Sequence, residues 1–163
     1  MLSVFGGKIT TFRKLSEHAL QKLQPWYPQM QPAWTATAPL PGGDLPNADF
    51  DAYVVNVQQD YSSLSADLCR ALCRRYGTRI HALLQSVSSE ADLGEQFANG
   101  FYEVEARYLI EHEWAMTVDD VLWRRTKHGV RMTPSQLQRF DQWWSQRMAG
   151  SAADPSKQQP VDA

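Results

Sequence analysis

Ser65-Ala66-Asp67-Leu68-Cys69-Arg70-Ala71-Leu72-Cys73-Arg74-Arg75-Tyr76-Gly77 reads as one helix with both of its ends written into it. Ser65 suits the N-cap, where a hydroxyl accepts from a free N–H of the first turn, and Gly77 suits the left-handed position just past a helix C-terminus. Cys69 and Cys73 stand one turn apart within it. That spacing would serve two ligands of a metal, but no second cysteine pair or close histidine pair completes a tetrahedral set, so packing in the core is the expected role. The same two thiols make no disulfide framework, and reduced cysteines in a cytoplasmic setting are expected.

Helical signals continue on both sides. Residues 50–61 form one helix before it, and Ile80, Leu83, Leu84 and Val87 give an apolar stripe on a further helix after it. Beyond a break at Asn99 and Gly100 the pattern predicts a helix over 102–114. Thr117 and Asp120 then open another in a capping-box arrangement, with Asp where Glu or Gln is usual, and Gly129 ends it. Thr133 as N-cap and Pro134 at the first helical position launch the last helix, whose Leu137, Phe140, Trp144 and Met148 line one face. From Gly150 small and polar residues predict a frayed tail.

Toward the N-terminus the texture changes. Six of the nine prolines fall between Pro25 and Pro46, so that stretch holds neither a long helix nor a central strand. It reads as an ordered connector, and its Trp26, Tyr27, Trp34 and Leu40 predict that it packs against a surface. Phe12, Leu15, Ala19 and Leu23 mark a first helix that Pro25 stops. Before it, Leu2, Ser3, Val4, Phe5, Gly6 and Gly7 look like a strand end meeting a glycine turn. The expected segments are thus 1–24 (strand, turn, helix), 25–48 (connector), 49–149 (helical domain) and 150–163 (disordered tail). The fold class is mainly α.

Composition narrows the function. The 163 residues are 43% hydrophobic, 21% charged and 11% aromatic, enough for one globular domain with a core built from large side chains. A net charge of -2 lacks the general attraction behind nucleic-acid binding, so no nucleic-acid partner is expected. No run of about 18 apolar residues occurs and the opening residues lack the basic and apolar regions of a secretory signal, so no membrane span and no secretory route are expected, and no repeat at solenoid periods is visible.

Most clusters that could carry chemistry have a plain structural reading. Glu111-His112-Glu113-Trp114 lacks the second histidine that a metalloprotease helix places four residues on, and a solvated helix face explains it. His18, His81 and His128 stand isolated. Arg124, Arg125, Lys127 and Arg131 form the densest positive cluster, which suits either a helix C-terminus or the holding of a partner domain or an anion. The opening segment differs. Gly6, Gly7, Lys8, Ile9, Thr10 and Thr11 set a glycine pair, a cation and two hydroxyls at the mouth of a helix, all features suited to an anion or a cofactor.

The run Ser3-Val4-Phe5-Gly6-Gly7-Lys8-Ile9-Thr10-Thr11-Phe12-Arg13-Lys14-Leu15 resembles the last flavin-proximal loop and following helix of the bacterial aerobic, FAD-dependent glycerol-3-phosphate dehydrogenases. Further stretches resemble the same family in the same order: Pro32-Ala33-Trp34-Thr35, Leu40-Pro41-Gly42-Gly43, Arg75-Tyr76-Gly77, Asp92-Leu93-Gly94, Phe101-Tyr102-Glu103, Glu111-His112-Glu113-Trp114, and Asp119-Asp120-Val121-Leu122-Trp123-Arg124-Arg125-Thr126-Lys127. The resemblance reaches about Trp144. It implies the C-terminal part of such an enzyme, a helical cap preceded by a strand-turn-helix remnant of the FAD-binding domain.

The family reaction oxidises sn-glycerol 3-phosphate to dihydroxyacetone phosphate, passing hydride to FAD and electrons on to a quinone. By resemblance, Gly6, Gly7, Lys8, Ile9, Thr10 and Thr11 would lie along the flavin, and Lys8 would also face the substrate. No catalytic residue and no metal ligand is assigned, and Arg13 receives no role. The chain lacks a G-x-G-x-x-G fingerprint, so it is not expected to retain FAD or to turn over alone. Its implied partners are an N-terminal FAD and substrate domain, glycerol 3-phosphate and quinone, with coverage of the catalytic domains and a homodimer contact both open as roles for the cap. The intact enzyme would be cytoplasmic and peripheral at the inner membrane. The rival reading is a stand-alone helical protein-interaction module, which should show no exposed apolar patch.

Overall fold

Three of the helices in this chain begin where a side chain accepts from a free N–H group of the first turn. In the computed structural model, which describes residues 2–152, α1 spans Phe12–Leu23, α2 Phe50–Asp60, α3 Ala66–Tyr76, α4 Ile80–Leu83, α5 Glu103–His112 and α6 Pro134–Ala152. Asp49 Oδ1 accepts from Ala52 N at 3.0 Å to start α2, and Ser65 Oγ accepts from Leu68 N at 3.3 Å to start α3. Gly77 follows α3 at φ +52°, the left-handed region that a side chain would strain. At α6 the cap is reciprocal: Thr133 Oγ1 accepts from Gln136 N, and Gln136 Oε1 accepts from Thr133 N. The helix continues through Ala152, so the first residues of the expected tail are helical and the remainder of that expectation lies outside the described residues.

The chain divides into two units, Met1–Asp44 and Leu45–Ala163. In the first, residues 2–8 form neither helix nor strand, and the expected strand end at residues 2–5 is absent, because a strand needs a neighbouring edge to bond. A 3-10 turn at Ile9–Thr11 leads into α1, and a second at Gln24–Trp26 comes after it, where Pro25 removes a donor. The connector is tied to α1 by polar contacts: Arg13 Nη1 donates to Thr35 Oγ1 at 3.3 Å, and the Thr35 hydroxyl donates to Glu17. Trp26, Tyr27, Trp34 and Leu40 are exposed in this chain. A unit of this length cannot enclose side chains of that size.

The second unit holds every fully buried apolar side chain among the described residues, from Tyr53 to Trp144. α2 packs on α3, α3 on α4, and α4 on α5, and the stripe Ile80, Leu83, Leu84 and Val87 is buried although α4 itself is only one turn long. Cys69 and Cys73 are free and buried in this core, the role expected of them. The break at Asn99 and Gly100 is the turn of an antiparallel hairpin, β1 (Gln96–Ala98) with β2 (Phe101–Tyr102), pairing Gln96 with Tyr102 and Ala98 with Phe101. Gly100 there takes φ +67°. The hairpin delivers Phe97 and Phe101 to Phe140 of α6, with ring centroids 4.9 and 5.4 Å away.

Thr117 and Asp120 form the expected reciprocal cap, Asp120 N donating to Thr117 Oγ1 and Thr117 N to Asp120 Oδ2. The cap opens a π-helix, Asp120–Arg125, closed by Thr126 N donating to Val121 O at 3.2 Å. This helix stops at Thr126, short of Gly129. That glycine instead sits beneath Trp123, whose ring would lie 2.6 Å from a Cβ there.

Candidate functional site

The backbone of the glycine loop lies open. Gly6 takes φ +75°, a conformation that costs glycine little, and a Cβ built on it meets nothing within 4 Å. A Cβ on Gly7 would reach only Leu15 Cδ2, at 3.9 Å. Nothing within the chain therefore demands the second glycine, and both backbones lie open. Lys8 is extended, and its carbonyl accepts from Thr11 N at 2.8 Å and from Thr11 Oγ1 at 3.0 Å. The Thr11 hydroxyl is thus turned onto the 3-10 turn and makes no cap bond to α1. Gly6, Gly7, Lys8, Ile9, Thr10 and Thr11 are all exposed, and Lys8 enters no ion pair among the described residues.

Arg13 does have a partner. Its Nη1 lies 2.8 Å from Glu17 Oε1, and the Thr35 hydroxyl, followed by the charges of Arg13 and Lys14, holds the Glu17 carboxyl below its usual range. This is local bracing of α1.

A second polar centre joins Arg75 and Tyr76, of the Arg75-Tyr76-Gly77 motif, to a residue that no motif includes, Glu105. Glu105, on α5, is 1% exposed, and its carboxylate accepts from Tyr76 Oη at 2.8 Å and from Arg75 Nε at 2.9 Å and Nη2 at 3.0 Å. His128 Nε2 lies 3.2 Å from the same carboxylate, and its ring stacks on Phe101 at 4.2 Å. His128 is therefore not isolated. Burial, and next the Glu105 charge, push the Tyr76 hydroxyl far above its usual pKa, so it stays protonated and donates to the carboxylate. Every charge here is answered by another, which describes a structural network rather than a reactive one. For Glu105 itself, the signal in the sequence is a carboxylate flanked by Val104 and Ala106 inside a helix.

The Glu111, His112, Glu113 run separates in space. Glu111 pairs with Arg147 at 3.1 Å, while the His112 ring lies 4.9 Å from that of Tyr108. Among the described residues no three His, Cys, Asp or Glu side chains converge as metal ligands. The cationic cluster also divides. Arg125 turns back, donating from Nε to Glu113 O at 3.1 Å and from Nη2 to Trp114 O at 3.0 Å, while Arg124 and Arg125 both pair with Asp120. Arg131 makes no ion pair among the described residues and lines the grooves on either side of it.

Comparison with known proteins adds a family. Residues 33–142 match the C-terminal domain of alpha-glycerophosphate oxidase. Over 143 residues, 88% of the chain, it is 47% identical to the aerobic glycerol-3-phosphate dehydrogenase of Escherichia coli (strain K12) and 48% identical to the glycerol-3-phosphate dehydrogenase of Pseudomonas aeruginosa. It is also 40% identical over 144 residues to the D-erythritol 1-phosphate dehydrogenase of Brucella abortus. The chain spans 28–29% of the length of these relatives.

Proposed function

The chain belongs to the family of the C-terminal domain of alpha-glycerophosphate oxidase, and from that premise we propose that it supplies the helical cap and the flavin-proximal loop of an FAD-dependent sn-glycerol-3-phosphate dehydrogenase. The identity of 47–48% with two glycerol-3-phosphate dehydrogenases over 143 residues carries this reading. The glycine loop supports it, because the open backbone at Gly6 and Gly7 fits a planar cofactor at contact distance.

FAD, when bound, would supply the hydride acceptor for oxidation of glycerol 3-phosphate to dihydroxyacetone phosphate, with the electrons passing on to a quinone. The chain's own residues bind and orient. The backbone of Gly6, Gly7, Lys8, Ile9 and Thr10, with Thr11 beside it, holds the ring and ribityl chain. The Lys8 ammonium holds the substrate phosphate by a charge-assisted hydrogen bond. The remaining FAD and substrate contacts come from an N-terminal FAD and substrate domain, so the chain alone is not expected to retain flavin. Delivery of electrons to quinone sets the intact enzyme at the inner membrane as a peripheral protein; among the described residues no helix is long and apolar enough to cross one. The exposed Val4, Phe5, Ile9 and Phe12 favour this reading over a stand-alone interaction module.

The test exchanges the C-terminal domain of the E. coli enzyme for this chain. The chimera should hold FAD and oxidise glycerol 3-phosphate, and Lys8→Ala should raise KM roughly tenfold or slow flavin reduction, the effect of losing one charge-assisted contact. Unchanged kinetics in Lys8→Ala would remove Lys8 from the site.

A further inference from the structure

Arg75, Lys127, His128 and Arg131 line one groove of about 560 Å³, together with Arg125 and, as its one carboxylate among the described residues, Glu113. The basic side chains differ in how far their charge is already answered. Arg125 is held by Asp120 and by the carbonyls of Glu113 and Trp114. Arg75 commits Nε and Nη2 to Glu105 and to Gly100 O. Lys127 donates to Trp123 O, a neutral acceptor, and the Arg131 guanidinium makes no hydrogen bond or ion pair among the described residues. Glu113 forms an ion pair with neither of these two cations. The groove therefore carries an excess of positive charge.

The segment that bears this charge is fixed in place. A 3-10 turn at His128–Val130 is closed by Val130 N donating to Lys127 O at 3.2 Å, and Arg131 N donates to His128 O at 3.0 Å. His128 is pinned by the stack on Phe101 at 4.2 Å and by the Glu105 carboxylate, 3.2 Å from Nε2. Arg75, His128 and Arg131 also line a second groove, of about 540 Å³, and so stand on a wall common to both.

We propose that the first groove binds a phosphate monoester, with Lys127 and Arg131 as the charge partners of the phosphate and the rest of the groove taking the organic part. Two cations without carboxylate partners balance a dianion, whereas a carboxylate ligand would leave one of them unanswered. A guanidinium also matches two phosphate oxygens at once. The volume falls in the range of small-molecule sites, and cations carried on a fixed turn lose little freedom when the ligand arrives. All these residues belong to the unit Leu45–Ala163, so the site does not depend on the role given to loop 6–11.

NMR titration of the 163-residue chain tests the site, with inorganic phosphate and glycerol 3-phosphate as probes and potassium chloride at matched ionic strength as the control. The amide signals of residues 126–131 and the Arg131 Nε signal should shift saturably with both phosphate compounds and not with chloride. Arg131→Gln, which removes a side chain without bonds among the described residues, should weaken the binding about tenfold, the effect of one lost charge-assisted contact, while the chain melts as before. Shifts that grow linearly, or equally with chloride, are ionic-strength effects and overturn the site. Saturable binding that is undiminished in Arg131→Gln overturns it as well. Equal binding of acetate overturns the assignment to phosphate, and shifts seen only with phosphatidylglycerol vesicles identify a lipid surface and overturn the small-molecule ligand.

Discussion

Asp120 shows how much one side chain organises here. Two backbone N–H groups and two guanidinium groups converge on its carboxylate, and the Met116 N–H, ahead of Thr117, Arg124 and Arg125, draws its pKa down to about 2. A lowered folded-state value means that the bound, charged form contributes stability above the unfolded value of 3.8. That contribution disappears as pH falls toward about 2. Wild-type protein should therefore melt above Asp120→Asn at neutral pH, and the gap should close between about pH 4 and pH 2. A gap that persists through that window would show that the carboxylate's charge contributes nothing. The same residue scale separates two kinds of glycine. Gly6 is required by its positive φ, whereas Gly129 is required by the space Trp123 occupies. The first is suggested by a Gly-Gly pair before a helix; the second depends on a ring folded back from six residues earlier.

Among the elements, those with a chemical start were legible. Ser65, Thr117 and Thr133 all cap where expected, because a cap is decided by residues three positions apart. Thr133→Ala should cost about 1 kcal/mol, half of a reciprocal capping box, and lower the melting temperature by several degrees. An unchanged melt would mean that α6 is held by Phe140 and Trp144 alone. The elements that differ from expectation are those whose form is set from elsewhere. The π-helix at Asp120–Arg125 has a sequence pattern no different from an ordinary helix start, and its widened turn coincides with the demands on Arg125 from Glu113 and Trp114. Tyr102 fits the helical pattern yet belongs to β2, because Phe97 and Phe101 are drawn to Phe140. Residues 2–5 have the composition of a strand and no edge to join.

For the molecule as a whole, the contrast is between a unit with a core and one without. Residues 45–152 contain all the fully buried apolar side chains of the described chain and the complete Glu105 network. Expressed by themselves, they should unfold in one cooperative transition and bind no hydrophobic dye in the native state. A broad transition with dye binding would show that the unit depends on residues 1–44. The candidate cofactor loop lies in the other unit, which buries no residue fully among those described.

The amino-acid sequence by itself determined the helical class, the helix starts, the proline-rich interruption and the motifs that carry the family resemblance. Each of these rests on neighbours a few positions apart, where backbone sterics and short-range hydrogen bonds decide. Only the tertiary structure decided that Glu105 would be buried beneath Arg75, Tyr76 and His128, and that Trp114 would stand exposed under the hold of Arg125. Burial and ion pairing depend on which distant residues come to share one volume, and no local pattern records that.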